Sequence, residues 1–433
     1  SKNYVLGNRS LGYWVTAISA NASDMSVWIF MGLPMAIYKS DLISAWLAVG
    51  LIIFMFINWQ IIAKPLREQS EALGCITLSS FIEKKINSHK KGISILLSLS
   101  SVFFLTIYIS AGIIGLGYLF EQLFGLSYYA GCVFSILAIL TYVSIGGFNA
   151  ICYIDFVQGL FLLSVIILTP SLVIYDYLFT NKFTLLNSPK IDLLSFIPKD
   201  FTQVSTALFL VFGWGLGYFG QPHILNKFMA IKNSEEIHKA KLVGTIWQII
   251  ALFFAILVGL SAHLFFVKQP ENIEMIFVIM TKSLFNPFIA SFVLCGILAA
   301  TISTIDSQVI VAASNISQDI VKIFNKQLSE KFLLYTTRFS VVVICLISLT
   351  IALFKISSIH QAVHYCWSGL GCSFGPLLIS CLYFKKLNYK YCFISVLVSI
   401  SIAIFWSYFS TSIPSLIPGF ILGILIDRKS TRL

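Results

Sequence analysis

Ala22-Ser23-Asp24-Met25-Ser26 puts one carboxylate and two hydroxyls inside an apolar run of about 11–38, long enough to cross a bilayer. A charge near the middle of such a span costs at least about 2.5–3.5 kcal/mol, so Asp24 is expected to face a cavity or an ion rather than lipid. The small polar cluster also loosens the helix, and a broken helix frees backbone carbonyls to coordinate a cation. A hydrogen-bonded polar contact between helices is the blander alternative. A second set of oxygens lies in Ala299-Ala300-Thr301-Ile302-Ser303-Thr304-Ile305-Asp306-Ser307. There Ala300, Ser303, Thr304 and Ser307 share one helical face. Hydroxyls and freed carbonyls are hard ligands suited to sodium, although membrane hydroxyls often bond only to the carbonyl one turn back.

The elements that position these residues follow from composition. Of 433 residues, 58% are hydrophobic and 11% charged, against about 25% charged in a soluble domain. Mean hydropathy is +0.89. The apolar runs predict an all-α polytopic membrane protein with spans at about 11–38, 41–63, 93–121, 128–145, 152–176, 204–224, 242–267, 286–312, 332–354, 363–383, 391–408 and 411–427. With a cytoplasmic N-terminal end, all Lys and Arg fall on the cytoplasmic side except Lys39, Lys182, Lys190, Lys199, Lys268, Lys282 and Lys355. The net charge of +11 therefore reports topology, not a nucleic-acid partner. Both ends of the chain are expected in the cytoplasm.

Other chemistries find little support. The nine cysteines and six histidines are dispersed, with no zinc or haem spacing, and the cysteines read as small apolar residues. No GxxxxGK[ST] loop is present to power transport with ATP, and no cleavable signal peptide is seen. Ser26, His223 and Asp24 can be drawn as a hydrolytic triple, but no nucleophile elbow accompanies them. The chain reads as a non-enzyme.

The first span is interrupted at Asn21–Ser26. The sixth is interrupted at Gly213-Trp214-Gly215-Leu216-Gly217-Tyr218-Phe219-Gly220-Gln221-Pro222, where four glycines and a proline make continuous helix costly. Broken helices five spans apart are what two inverted five-helix repeats produce, as in the bacterial leucine transporter. One transport domain over 1–433 is expected. Its repeats lie at about 11–176 and 204–383, with extra helices at about 391–427. The longer connections are a basic amphipathic stretch at 64–92 and an outer loop at 177–200.

With these motifs in view, the chain resembles the sodium:solute symporter family, and its proline branch in particular. The resemblance runs through Tyr4-Val-Leu-Gly-Asn-Arg-Ser-Leu-Gly12, Ala22-Ser-Asp-Met-Ser26, Met31-Gly-Leu-Pro34 and Asn58-Trp59. It continues in Ser144-Ile-Gly-Gly-Phe148, Asp155, Gly213-Trp-Gly-Leu-Gly-Tyr-Phe-Gly-Gln-Pro-His223 and Ile297-Leu-Ala-Ala300 with Ser303-Thr304. The GWGLGYFGQPH string is the most specific of these.

The resemblance implies a leucine-transporter-like fold and sodium-coupled uptake of L-proline by alternating access across a bacterial inner membrane. It implies a sodium ion on the carbonyls of Ala22, Met25 and Ala300 and the hydroxyls of Ser303 and Thr304. Arg9 and Asp24 correspond to coupling residues, with Asp24 either near the ion or holding the broken helix in shape. Ser26, Tyr108, Trp214, Tyr218 and Pro222 correspond to the substrate pocket. Aromatics suit an apolar pyrrolidine, and exposed amides of a broken helix suit its carboxylate. A monomer in the lipid bilayer is expected.

Three departures stand out. Val27 replaces the glycine usual after Ser26 and, being bulkier, is expected either to narrow the site or to alter affinity. Asp306 either pairs with a nearby donor or joins Asp155, Ser303 and Ser307 in a second sodium site like that of sialic-acid members. The family's preceding N-terminal helix is absent, and Asp427–Leu433 reads as adapter-derived sequence, so an incomplete gene product is expected. Competing functions are a symporter for another small amino acid or betaine, a non-transporting proline sensor, and a passive channel.

Overall fold

The computed structural model describes residues 2–40, 42–86, 90–180, 193–266, 268–324, 328–355, 358–384, 386–410 and 412–430. Lys182, Lys190, Lys326, Lys385 and Arg432, and half of the expected outer loop, lie outside the described residues. So do the last three residues of the tail read as adapter sequence.

Among the described residues, eight helices are long and apolar enough to cross a membrane: Leu42–Ala72, Gly92–Phe124, Ile145–Thr180, Ser234–Phe265, Pro287–Val321, Glu330–Leu353, Ile359–Tyr383 and Tyr389–Tyr408. Tyr128–Val143 supplies the shorter fourth span and Leu416–Ser430 the twelfth. The first and sixth are broken. The chain is a multi-pass protein of the cell membrane. Bulky apolar side chains such as Val157, Phe253, Phe292 and Phe339 point outward, where hydrocarbon solvates them.

The fourth and fifth spans join without a loop. Gly147 turns the chain between them with φ +68°, and a Cβ there would meet the Tyr4 ring at 2.9 Å, so glycine is required on both counts. A short buried helix, Ile276–Leu284, occupies what reads as an outer loop in the sequence.

The first span runs Tyr13–Ala22, unwinds, and resumes as Val27–Phe30 and Gly32–Ser40. In the unwound stretch the amides of Asp24 and Met25 both turn back to the Asn21 carbonyl, at 3.1 Å each. The sixth span runs Phe201–Gly215, tightens to a 3-10 turn at Leu216–Gly220, extends at Gln221 and restarts as Pro222–Ala230. Proline suits that restart because its missing N–H is unneeded in a first turn.

The break is thus narrower than Gly213–Pro222, and the glycines act by contact rather than by disrupting helix. A Cβ at Gly215 would lie 2.2 Å from the Phe54 ring, and one at Gly217 2.0 Å from the Trp367 indole nitrogen. Glycine here lets the sixth span touch the second and tenth.

Candidate functional site

The two unwound stretches meet at Asp24 and Tyr218. The Tyr218 hydroxyl donates to Asp24 Oδ2 and accepts from Gln248 Nε2 at 2.8 Å, all three residues being buried. The Asp24 carbonyl accepts from the Trp28 indole at 2.9 Å, and Asn58 donates to the Tyr218 carbonyl at 3.2 Å. Asn58 opens a π turn, Asn58–Ala63, in the second span. A carboxylate at this depth is therefore partnered, and it ties one broken helix to the other. Neither ring nitrogen of His223 has a hydrogen-bond partner among the described residues, Asp24 included, so the hydrolytic triple does not assemble.

Of the expected sodium ligands, the structure brings Ala22, Ala300, Ser303 and Thr304 together. Ser303 Oγ lies 3.4 Å from the Ala22 carbonyl and 2.8 Å from the Ala300 carbonyl, and Thr304 Oγ1 lies 3.2 Å from the latter. Met25 sits buried in the unwound stretch three residues after Ala22. Two carbonyls and two hydroxyls from two helices thus converge, an all-oxygen set suited to a hard cation.

The expected pocket residues divide into two levels. Trp214 stacks on Trp28 with ring centroids 5.8 Å apart and borders His364 at 5.0 Å. It also lines a cavity of about 600 Å³ among the sixth, tenth and eleventh spans, with Thr206, Leu210, His360 and Trp406. By the charge asymmetry this cavity lies on the outer side.

Tyr218 lies deeper, its ring edge-on to Trp367 at 5.0 Å. Tyr108 meets the His223 ring edge-on at 6.2 Å, next to Pro222. The hydroxyls of Ser26, Tyr108 and Ser368 and the Gln221 side-chain carbonyl are buried with no partner among the described residues. Such groups are rare in folded interiors and supply hydrogen-bonding capacity for a polar solute. Val27 packs toward Gly115 of the third span, where a Cβ would lie 2.8 Å from its methyl carbon.

Asp306 takes its donor from the fourth span: Tyr142 donates to Oδ2 at 3.0 Å. Asp155 and Ser307 meet one another at 2.9 Å, around a residue the sequence reading misplaces. Lys227 was expected in a cytoplasmic connection. Instead it is buried in Pro222–Ala230, with Nζ 2.6 Å from Asp155 Oδ2. The signal was present, since a proline opening a helix should have extended the sixth span past 224. Gln248, Trp28 and Trp367 were also missed, and nothing in their types or spacing distinguishes them from packing residues.

Arg9 precedes the first span, and its hydrogen bonds go to none of the expected sodium or pocket residues. Gly7, Asn8 and Arg9 all adopt positive φ, a tight turn that aims the guanidinium inward. It donates to the Met229 carbonyl, to the Cys75 carbonyl at 2.8 Å and to Ser70 Oγ at 3.1 Å. Burial, with repulsion from Arg67, lowers the guanidinium to about 10, so it is charged at neutral pH. Arg67 holds the Ile231 carbonyl at 2.6 Å, and Leu11 bridges Ala230 and Lys232 through its backbone at 3.2 and 2.8 Å. The cytoplasmic ends of the first, second and sixth spans are thereby clamped together.

A family model for the sodium:solute symporter family matches residues 4–399. The chain belongs to that family. The osmoregulated proline transporter OpuE of Bacillus subtilis is 36% identical over 99% of this chain and 90% of its own. The sodium/proline symporter of Escherichia coli is 34% identical over 97% and 86%. Among solved structures, a sodium-coupled sialic acid symporter in a substrate-bound outward-open state superposes with a TM-score of 0.81 at 15% identity, covering 99% of this chain and 92% of that one. The transporter MhsT in complex with L-phenylalanine gives 0.62 at 14%, covering 96% and 98%. The fold of this family member is the leucine-transporter fold, an inverted five-plus-five helix repeat with two further C-terminal helices.

Proposed function

We propose that this symporter couples sodium entry to uptake of L-proline by alternating access. The observation that carries the reading is the convergence of the Ala22 and Ala300 carbonyls with the Ser303 and Thr304 hydroxyls, directly beside the Asp24–Tyr218 junction. Sodium held there, with Met25 completing the shell, stabilises the unwound first helix. That helix in turn carries Ser26 and Trp28 to the pocket. Proline enters from the outer cavity past Trp214. Its ring rests on Trp28, Trp214 and Tyr108, and its polar groups meet Ser26 and the restart of the sixth helix at Pro222. The proline names of the 34–36% identical relatives support this substrate.

Transport then requires the outer cavity to close and the Arg9–Met229 clamp to open, as the repeats at 11–176 and 204–383 shift against one another. A monomer suffices, because the proposed ligands for sodium and proline come from one chain. The test is uptake of labelled proline into vesicles with and without an inward sodium gradient. Sodium-dependent accumulation above equilibrium supports the reading. Binding without accumulation indicates a sensor, and flux without accumulation a channel. Competition by betaine or by another small amino acid at lower concentration reassigns the substrate.

A further inference from the structure

Lys227 carries a positive charge into the centre of the membrane domain, and three oxygens surround it. Its Nζ is 2.6 Å from Asp155 Oδ2 on the fifth span, 2.8 Å from the Ser19 carbonyl on the first and 3.1 Å from Ser307 Oγ on the eighth. An ammonium has three N–H donors and no acceptor, so these three partners use it fully. Lys227 and Asp155 are both buried.

The same oxygens are of the kind a sodium ion binds, and Ser307 lies one helical turn from Ser303 on the eighth span, beside the sodium ligands proposed above. We infer that the Lys227 ammonium is a tethered cation. It occupies the Asp155–Ser19–Ser307 oxygen cage, so that this chain binds one sodium where removing the lysine charge would let it bind two.

The physical argument is that Asp155 brings a full negative charge to a buried site, and that charge requires a cation. A covalently held ammonium meets the need without loss of a free ion's translational freedom, and it repels sodium from the same oxygens. Asp306 does not compete for it, since its Oδ2 accepts from Tyr142 and its Oδ1 from the Ser307 amide at 2.7 Å. Replacing the ammonium with a neutral group of similar length leaves the carboxylate, the hydroxyl and the carbonyl facing the same point with no cation among them.

The inference rests on the sodium-symport reading, and its test separates the two. Equilibrium binding of radioactive sodium to the purified full chain without proline is expected to give one ion per chain. Lys227→Gln is expected to give two, and Lys227→Gln combined with Asp155→Asn to return to one. A wild-type count of two, or a folded Lys227→Gln protein that still binds one, overturns the inference.

Where Lys227→Gln does not fold, Asp155→Asn decides instead. It should keep one sodium with affinity within threefold of wild type, and loss of that sodium would make Asp155 a ligand of the single ion and overturn the inference. A wild type that binds no sodium overturns the symport reading itself.

Discussion

The Tyr218 hydroxyl donates to the Asp24 carboxylate and so joins the unwound stretches of the first and sixth helices by a single side-chain bond. Because Gln248 donates to the same hydroxyl, the Tyr218 proton is committed to Asp24. A buried carboxylate deprived of its donor costs about 1–3 kcal/mol. Tyr218→Phe keeps the ring against Trp367 and removes only that proton. The expected outcome is a sodium half-saturation constant raised roughly 5- to 150-fold at saturating proline. Adding Asp24→Asn should cost less in the Tyr218→Phe background than alone. Additive effects would show that the two residues act separately.

Ser303 and Thr304 provide two of the five oxygens proposed around sodium, and the three carbonyls left cannot complete a shell. Ser303→Ala with Thr304→Ala should therefore lower apparent sodium affinity at least tenfold, about 1.4 kcal/mol or more. Proline affinity at saturating sodium should fall less. Sodium dependence identical to wild type in the double variant would remove these hydroxyls from the site.

The oxygen sets on the first and eighth helices were legible because their chemistry is local. A carboxylate among hydroxyls in an apolar span, and small residues recurring on one face, can be read from neighbours in the chain. The partners of those residues were not. Asp24 pairs with Tyr218 across 194 positions and Asp155 with Lys227 across 72, and only the folded arrangement of the helices brings them together.

The glycines of the sixth helix were noticed for a reason that proved incomplete. Their low helix propensity is real, but Gly215 and Gly217 are small because Phe54 and Trp367 lie against them.

Arg9 joins three acceptors, from the second helix, the connection that follows it and the sixth helix, so its loss should loosen the cytoplasmic clamp rather than the sodium site. Arg9→Ala is expected to raise the rate at which the buried Cys75 thiol reacts with a membrane-impermeant maleimide from the cytoplasmic side, about tenfold. Sodium binding to the purified protein should change by less than threefold. Arg9→Lys should restore only part of the protection, since a single ammonium does not reproduce the fork of a guanidinium. Unchanged Cys75 labelling in Arg9→Ala would place the closing contacts elsewhere.

One sodium crossing about 100 mV releases about 2.3 kcal/mol. A tenfold sodium gradient adds about 1.4 kcal/mol. Together they sustain a proline ratio of roughly 500-fold if a single sodium moves with each proline. Static-head accumulation in proteoliposomes under those conditions should approach that value. Accumulation well beyond it requires a second coupling ion and counts against Lys227 as a resident cation.

Trp214 is the residue whose removal should separate substrate recognition from sodium binding. It stacks on Trp28, borders His364 and lines the outer cavity, whereas the sodium ligands lie on other helices. Proline is small, so one aromatic wall is a large fraction of its contacts. Trp214→Ala is expected to raise the proline half-saturation constant at least tenfold, about 1.4 kcal/mol. Sodium affinity without proline should stay within threefold of wild type. Trp214→Phe should recover most of the loss, because it keeps an aromatic face against Trp28. If Trp214→Ala transported proline with wild-type affinity, the indole would be packing alone and the pocket would have to lie below it, around Tyr108 and His223.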